Sequence, residues 1–304
     1  MSSRPLEVDV VPPSPFRLPT YGGEDGVMRV RGGVASRLLH VADSPILVRA
    51  WQPGARRVLL RAEPVDPASI APPRSLPAQP LRSAGPADLR TALERMRFAL
   101  GVDDDLGEFY RRFRRDPLLG PLLRRRPHLR PRRRPWPWEA LAWAVVKQLI
   151  ETGAAARIQR RIVGRWGRRL GGERETLRDV PPAAAIAGRA PAEIEQLGLS
   201  AGRSLALRAV AAQTASGRCR LSDPAADRRL LAVREIGPWT VQCLGLFGRG
   251  DPDSLPAGDL IYLKLVGRLA GLGRRATVEE VEEFYAPYAP FRGLAGHWTI
   301  GLYG

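Results

Sequence analysis

Cysteine and lysine are nearly missing from this chain of 304 residues, with Cys219, Cys243, Lys147 and Lys264 the only examples. Two thiols are too few for a disulfide framework or an all-cysteine metal site. Long apolar runs are also lacking: none approaches the roughly 20 residues that a membrane-crossing helix needs. The opening Met1-Ser2-Ser3-Arg4-Pro5 has no apolar stretch of the kind that starts a secretory signal. These absences set the expectation of a protein in a reducing, cytoplasmic setting.

What is abundant is positive charge. Lysine and arginine together number 48 against 31 acidic residues, a net charge of +17. Such an excess favours a polyanionic partner, because neutralising phosphates releases their counterions. The excess is almost all arginine, a bias that a GC-rich genome also produces, so composition suggests nucleic acid without proving it. With 44% hydrophobic and 26% charged residues the chain is globular. Its length allows two domains.

Three textures follow one another. Between Gly26 and Ala62, β-prone runs at Val27 to Arg31, Ile46 to Trp51 and Val58 to Ala62 are broken by turn residues, which predicts a small antiparallel sheet. From Glu63 to Pro86, prolines 64, 67, 72, 73, 77 and 80 exclude helix interiors and central strands, so this reads as a linker. From Ala87 onward the spacing is helical. Leu89, Leu93, Met96 and Leu100 share a face before Gly101, and further helices are expected over Asp105–Arg115, Trp138–Gln148, Thr152–Trp166, Pro191–Leu197, from Ser200 through Ala212, and Asp223–Val233. The predicted organisation is α+β: residues 1–86 a small β-rich domain with its linker, residues 87–304 an all-helical domain. The arginine cluster from Arg124 to Arg134 reads as a phosphate-contacting loop or as a solvated connector.

One segment carries most of the information. Leu230 to Val233 is an apolar helix end, Glu235-Ile236-Gly237 a tight turn, and Pro238-Trp239-Thr240-Val241 a helix start. Proline suits that first position because its missing N–H would be unpaired anyway. The turn presents backbone amides at the positive end of a helix dipole, an arrangement that holds a phosphate without a charged side chain. Downstream, Leu255-Pro256-Ala257-Gly258 leads to Asp259 at the head of a helix over Leu260–Leu269. Taken alone, Asp259 reads as an N-cap.

Together, Ile236-Gly237-Pro238-Trp239-Thr240 and Leu255-Pro256-Ala257-Gly258-Asp259 resemble the helix-hairpin-helix, Gly/Pro-rich loop, aspartate signature of base-excision DNA glycosylases. The likeness is nearest to the bacterial 3-methyladenine-DNA glycosylase II branch. It extends to Lys147-Gln148-Leu149-Ile150 with Ala154 to Ile158, and to Tyr288-Ala289-Pro290-Phe291-Arg292, covering roughly residues 88 to 304.

The resemblance implies a mostly helical glycosylase domain behind a small sheet. It also implies a monofunctional enzyme that flips alkylated purines out of double-stranded DNA and leaves an abasic site. Asp259 would be the catalytic carboxylate. Trp239, Cys243, Gln148 and Trp298 would line the base pocket, with Ile300 the alternative to Trp298. Leu149 would fill the gap in the stack unless it is a core leucine; Trp239, likewise, is otherwise plain core packing. Glu235, Ile236, Gly237 and Thr240 would meet the DNA backbone. Trp239 stands where strand-nicking relatives have a Schiff-base lysine, and neither lysine lies near it in sequence.

No cofactor is implied beyond a structural monovalent cation at the hairpin, and two cysteines exclude an iron–sulfur cluster. A monomer in the cytoplasm, associated with the nucleoid, is expected. Two departures stand out: Glu235 replaces the first glycine of the hairpin, and Cys243 replaces a pocket aromatic. They leave room for another damaged base as substrate, or for a non-catalytic DNA-binding protein of the same fold.

Overall fold

The computed structural model describes residues 4–72, 80–171 and 176–303. Strands β1 (Leu6–Val10), β2 (Met28–Arg31), β3 (Val34–Val41), β4 (Ser44–Gly54) and β5 (Arg57–Pro64) form one antiparallel sheet in the order β1-β5-β4-β3-β2. The three predicted runs fall on β2, β4 and β5. Strand β3 gave no period-two signal because residues 35 to 40 are all buried: a strand covered on both faces loses the alternation that marks a half-exposed one.

Helix α1 (Pro86–Leu100) buries Leu89, Leu93, Met96 and Leu100, the face read from the sequence, and stops at Gly101 with φ of 68°. That face packs on Leu39, Ile46, Val48, Ala50 and Leu60 of the sheet. The first helix after the prolines thus shares the core of the sheet rather than that of the helices that follow. Part of the expected linker is structured: a single 3-10 turn (Pro67–Ser69) leads into β6 (Ile70–Ala71). Pro73 and Pro77 lie outside the described residues. β6 pairs with β7 (Arg169–Leu170), which pairs with β8 (Leu177–Arg178), so the region expected to be all-helical carries two short strands.

The helical body comprises α2 (Gly107–Phe113), α3 (Leu119–Arg125), α4 (Pro137–Lys147), α5 (Thr152–Trp166), α6 (Ala183–Ala187), α7 (Pro191–Glu195), α8 (Ala201–Ala215), α9 (Asp227–Leu231), α10 (Pro238–Leu244), α11 (Leu260–Leu269), α12 (Val278–Tyr285) and α13 (Arg292–Tyr303). It has two cores. Leu141, Val145, Ile162, Trp166, Leu207, Leu230 and Leu244 centre the one built by α4 to α10. Phe109, Tyr262, Tyr285 and Trp298 centre the one built by α2, α3 and α11 to α13. Trp239 of α10 and Asp259 at the head of α11 meet at the seam between these cores, 3.2 Å apart.

The arginine cluster resolves mainly as a connector tied inward. Arg130 donates from Nε to the Gly101 carbonyl at 3.1 Å, Arg133 pairs with Asp104, and Arg134 holds Asp25 at 2.5 Å. Arg132 stacks 3.7 Å above the Tyr21 ring.

Sheet and helices are also joined by a buried ion pair. Arg37 of β3 meets Glu139 of α4 at 2.5 Å, their side chains 3% and 1% exposed. Next to it His40 contacts Asp179 at 2.8 Å. Burial pushes Glu139 up to about 7; Arg37 pulls it down, and the Asp179 carboxylate adds to the rise. A folded pKa above the ordinary 4.5 means that the folded chain holds this proton more tightly. The stabilisation is complete below about 4.5 and is lost as the pH rises through about 7. Thermal unfolding followed from pH 5.5 to 8.5 should show this loss, and E139Q should remove that part of the slope. An identical slope in wild type and E139Q would contradict the assignment.

Candidate active site

The hairpin between α9 and α10 is anchored from within. Leu230 and Ile236 are buried in the first core, while Arg234 points outward, its side chain 96% exposed. Glu235 has φ of 70°, a left-handed conformation that costs a non-glycine residue about 1–2 kcal/mol. Gly237 is extended, with φ of −104° and ψ of 178°, so the residue that would gain from glycine is 235. The Glu235 carboxylate lies against the first turn of α8: a Cβ added at Gly202 would sit 3.2 Å from its Oε1. This contact draws the negative charge toward α8. Removing the strain in E235G should raise the melting temperature by about 2 °C. A fall would mean that the lost contact at Gly202 outweighs the relief.

Of the turn's amides, Ile236 donates to the Val233 carbonyl and Thr240 to that of Gly237. The Gly237 amide has no acceptor among the described residues. Thr240 is buried, and its hydroxyl accepts from Gln148 Nε2 at 2.9 Å. The residue expected at the DNA backbone thus has its hydroxyl turned to Gln148.

The loop before α11 is braced by α13. Arg292 chelates Asp253 at 2.9 and 2.5 Å, and the Leu294 amide donates to the Pro252 carbonyl at 2.9 Å. Gly293 permits this approach, since a Cβ there would lie 2.2 Å from the Ser254 carbonyl oxygen. The loop delivers Asp259, half-buried, at the head of α11. Its Oδ1 accepts from the Ile261 amide at 3.1 Å and its Oδ2 from Trp239 Nε1 at 3.2 Å. One oxygen therefore caps the helix, while the other holds the indole of a residue on α10. The N-cap role is real, and it does not exhaust the carboxylate.

Cys243 lies one turn beyond Trp239 and is buried. Burial first, and then the Asp259 carboxylate, push its thiol up, with Lys147 opposing. The thiol stays neutral, which rules it out as a nucleophile at physiological pH. Sequence reasoning missed Tyr262, which is buried three residues after Asp259. Its hydroxyl is raised well above the usual range by burial, with Tyr285, Asp259 and Cys243 adding to the effect. The i, i+3 spacing from Asp259 was the available signal.

Two expected pocket residues and one lysine find partners of their own. Gln148 spends both amide hydrogens on the Glu235 carbonyl, at 2.7 Å, and on Thr240, and so ties α4 to the hairpin. Trp298 is 1% exposed and packs among core aromatics, 6.2 Å from Phe109 and edge-on to Tyr110. Its shape complements the second core, and Ile300 packs against the same cluster. Lys147, remote in sequence, comes to the edge of the site, where its Nζ lies 3.3 Å from Glu24. Leu149, by contrast, is fully exposed with φ of 55°, so the core alternative falls.

Two well-formed cavities lie elsewhere. One of about 200 Å3 is lined by Gln242, Asp251 and Arg292 among others. One of about 730 Å3 lies between Pro12–Arg17 and the β4–β5 turn. Neither is lined by Trp239, Cys243 or Asp259. The chemistry argues for the seam all the same, because there the Asp259 carboxylate holds the Trp239 indole beside the Gly237 amide at the start of α10. Among the described residues no group of three His, Cys, Asp or Glu is placed to hold a metal ion, and no helix is long and apolar enough to cross a membrane.

Sheet, paired helical cores, hairpin and capping aspartate together make this the helix-hairpin-helix DNA glycosylase fold. The chain superposes on the 3-methyladenine DNA-glycosylase of Archaeoglobus fulgidus with a TM-score of 0.79 over 97% of both chains, at 18% identity. In sequence it is similar to the DNA-3-methyladenine glycosylase of Bacillus subtilis (strain 168), 26% identical over 200 residues, 64% of this chain and 66% of that one. It is also similar to a Mycobacterium tuberculosis (strain H37Rv) protein named "Probable bifunctional transcriptional activator/DNA repair enzyme AlkA", 29% identical over 219 residues, 70% of this chain and 43% of that one. The chain thus spans just under two thirds of the first relative and less than half of the second. No family model matches it.

Proposed function

We propose that the protein is a monofunctional DNA glycosylase that extrudes alkylated purines of the 3-methyladenine or 7-methylguanine type from duplex DNA and hydrolyses the bond between base and sugar. The contact between Asp259 and Trp239 carries this reading. The indole N–H is engaged by the carboxylate, which orients the ring and leaves its face for a stacked base. An electron-poor methylated purine stacks well on such a face. As the C1′–N bond breaks, its electrons leave with the base and positive charge builds at C1′ and the ring oxygen. The Asp259 carboxylate stabilises that charge, and a water oxygen then bonds to C1′ as one of the water's O–H bonds breaks and its proton passes to that carboxylate.

Leu149 fills the space vacated by the base, at a cost of a few kcal/mol for extrusion. The Gly237 amide meets a phosphate. The +17 charge strengthens duplex binding at low salt. Lys147 is held by Glu24 and Trp239 occupies the hairpin position, which supports base release without strand cleavage. The relatives' names support the substrate class.

Incubating the protein with methylated duplex DNA should release free 3-methyladenine or 7-methylguanine. It should also create alkali-labile sites, with no covalent complex trapped by borohydride. Release of a different base from defined-lesion duplexes would move the substrate, as the small Cys243 in place of an aromatic allows. Salt-dependent binding with no base released from any substrate would make the protein a damage-binding module.

A further inference from the structure

Leu149 raises a physical problem. It is a fully exposed leucine in a left-handed conformation, and such a state persists only where its surroundings over-determine it. Its own turn contributes little, since the Ile150 amide reaches the Lys147 carbonyl only at 3.5 Å. The hold comes from both sides of Gln148. The Gln148 side chain donates to the Glu235 carbonyl and to Thr240, on the hairpin. The Gln148 carbonyl accepts from Arg203 Nη1 of α8 at 3.0 Å, and the same nitrogen reaches the Val146 carbonyl at 3.3 Å. Arg203 is itself steadied by Ser200, to whose Oγ its Nε donates at 3.0 Å. Its neighbour Gly202, lacking a side chain, leaves room for the Glu235 carboxylate to lie alongside. The result is a closed ring of contacts: the end of α4, the hairpin turn, the first turn of α8, and back to α4.

The carbonyls at a helix C-terminus have no partners within the helix, and one guanidinium nitrogen with its two hydrogens can serve two of them. We infer that Arg203 is a positioning residue. It clamps the frayed end of α4 so that Leu149 is presented ready for insertion, and it links that insertion to the grip of the hairpin. The inference rests on the proposed reading of Leu149 as the residue that enters the stack.

The test uses the full chain and a duplex carrying 2-aminopurine beside a tetrahydrofuran abasic analogue, so that it does not depend on base release. Wild type should brighten the fluorophore on binding, and L149A should not. R203M should lose the brightening as L149A does, while its Kd stays within roughly threefold, since phosphate contacts dominate affinity. R203K, which can still reach one carbonyl, should recover part of the signal. L149A/R203M should match L149A alone, because two residues acting through one event are not additive. On methylated duplex, single-turnover release by R203M should fall roughly tenfold, the loss expected for about one hydrogen bond to a charged group. Should R203M fail to fold, Q148M breaks the same ring from the hairpin side and should show the same loss of brightening. Brightening by R203M equal to wild type overturns the clamp alone, as does an R203M defect that adds to that of L149A. Full brightening by L149A overturns the reading of Leu149, and the clamp with it.

Discussion

D259N should release methylated purines a hundred- to a thousandfold more slowly than wild type, while its affinity for duplex DNA stays within about threefold. The substitution isolates charge. Asparagine is as good an N-cap as aspartate, so its amide oxygen can still accept from the Ile261 amide and α11 should keep its start. What it cannot do is present a second acceptor to Trp239 Nε1, because its amide nitrogen would face another donor. The developing charge on the sugar then meets a neutral group, and the indole loses its tether. Alkali-cleavage assays on methylated duplex, paired with fluorescence anisotropy, measure both quantities. Excision by D259N within a few fold of wild type would remove Asp259 from the mechanism. Parallel loss of binding and melting temperature would reduce it to a cap.

R37M should lower stability by about 3–5 kcal/mol, since deleting one partner of a buried pair strands the other charge. Arg37 is buried between β3 and α4, and its loss would leave the Glu139 carboxylate beside Asp179 with its nearest compensation gone. For a chain of this size the melting temperature should drop on the order of 8 °C. Because Glu139 sits near neutrality, the penalty should be larger at pH 8 than at pH 6, where the stranded carboxyl can take a proton. R37M/E139L, which removes both charges, should recover much of the loss. A drop under about 2 °C in R37M would show that water or other groups already compensate the pair. A second consequence concerns the site, because α4 ends at Lys147, directly before Gln148 and Leu149: slackening its seat on the sheet should blunt base extrusion before the chain unfolds.

Several parts were legible for a common reason. The buried face of α1, the hairpin turn with Pro238 at its head, and Asp259 as a cap all follow from residues within a few positions of one another. Helical period, proline geometry and capping chemistry act at that range. β1, with its alternating burial, was overlooked despite a local signal, whereas the signal of other missed strands depends on what covers them. β3 lost its alternation to burial on both faces, and β7 and β8 are two-residue pairings that exist only because β6 lies alongside. In the site, Trp298 could not be assigned from α13 alone, since its role turns on whether it meets the core aromatics Phe109 and Tyr110 or a pocket. Arg203 carried no mark at all in a chain so rich in arginine. Its significance comes from two carbonyls more than fifty positions away.

The turn that offers an amide at 237, the capping carboxylate and the strong positive charge were determined by the sequence alone, because each rests on local backbone preference or on composition. Only the tertiary structure decided that Trp239 meets Asp259, that Leu149 stands clear of any core, that Gln148 braces the hairpin, and that Glu235 leans on α8. Those relations depend on how two hydrophobic cores close against each other across a seam. No spacing within a single helix or turn encodes that closure.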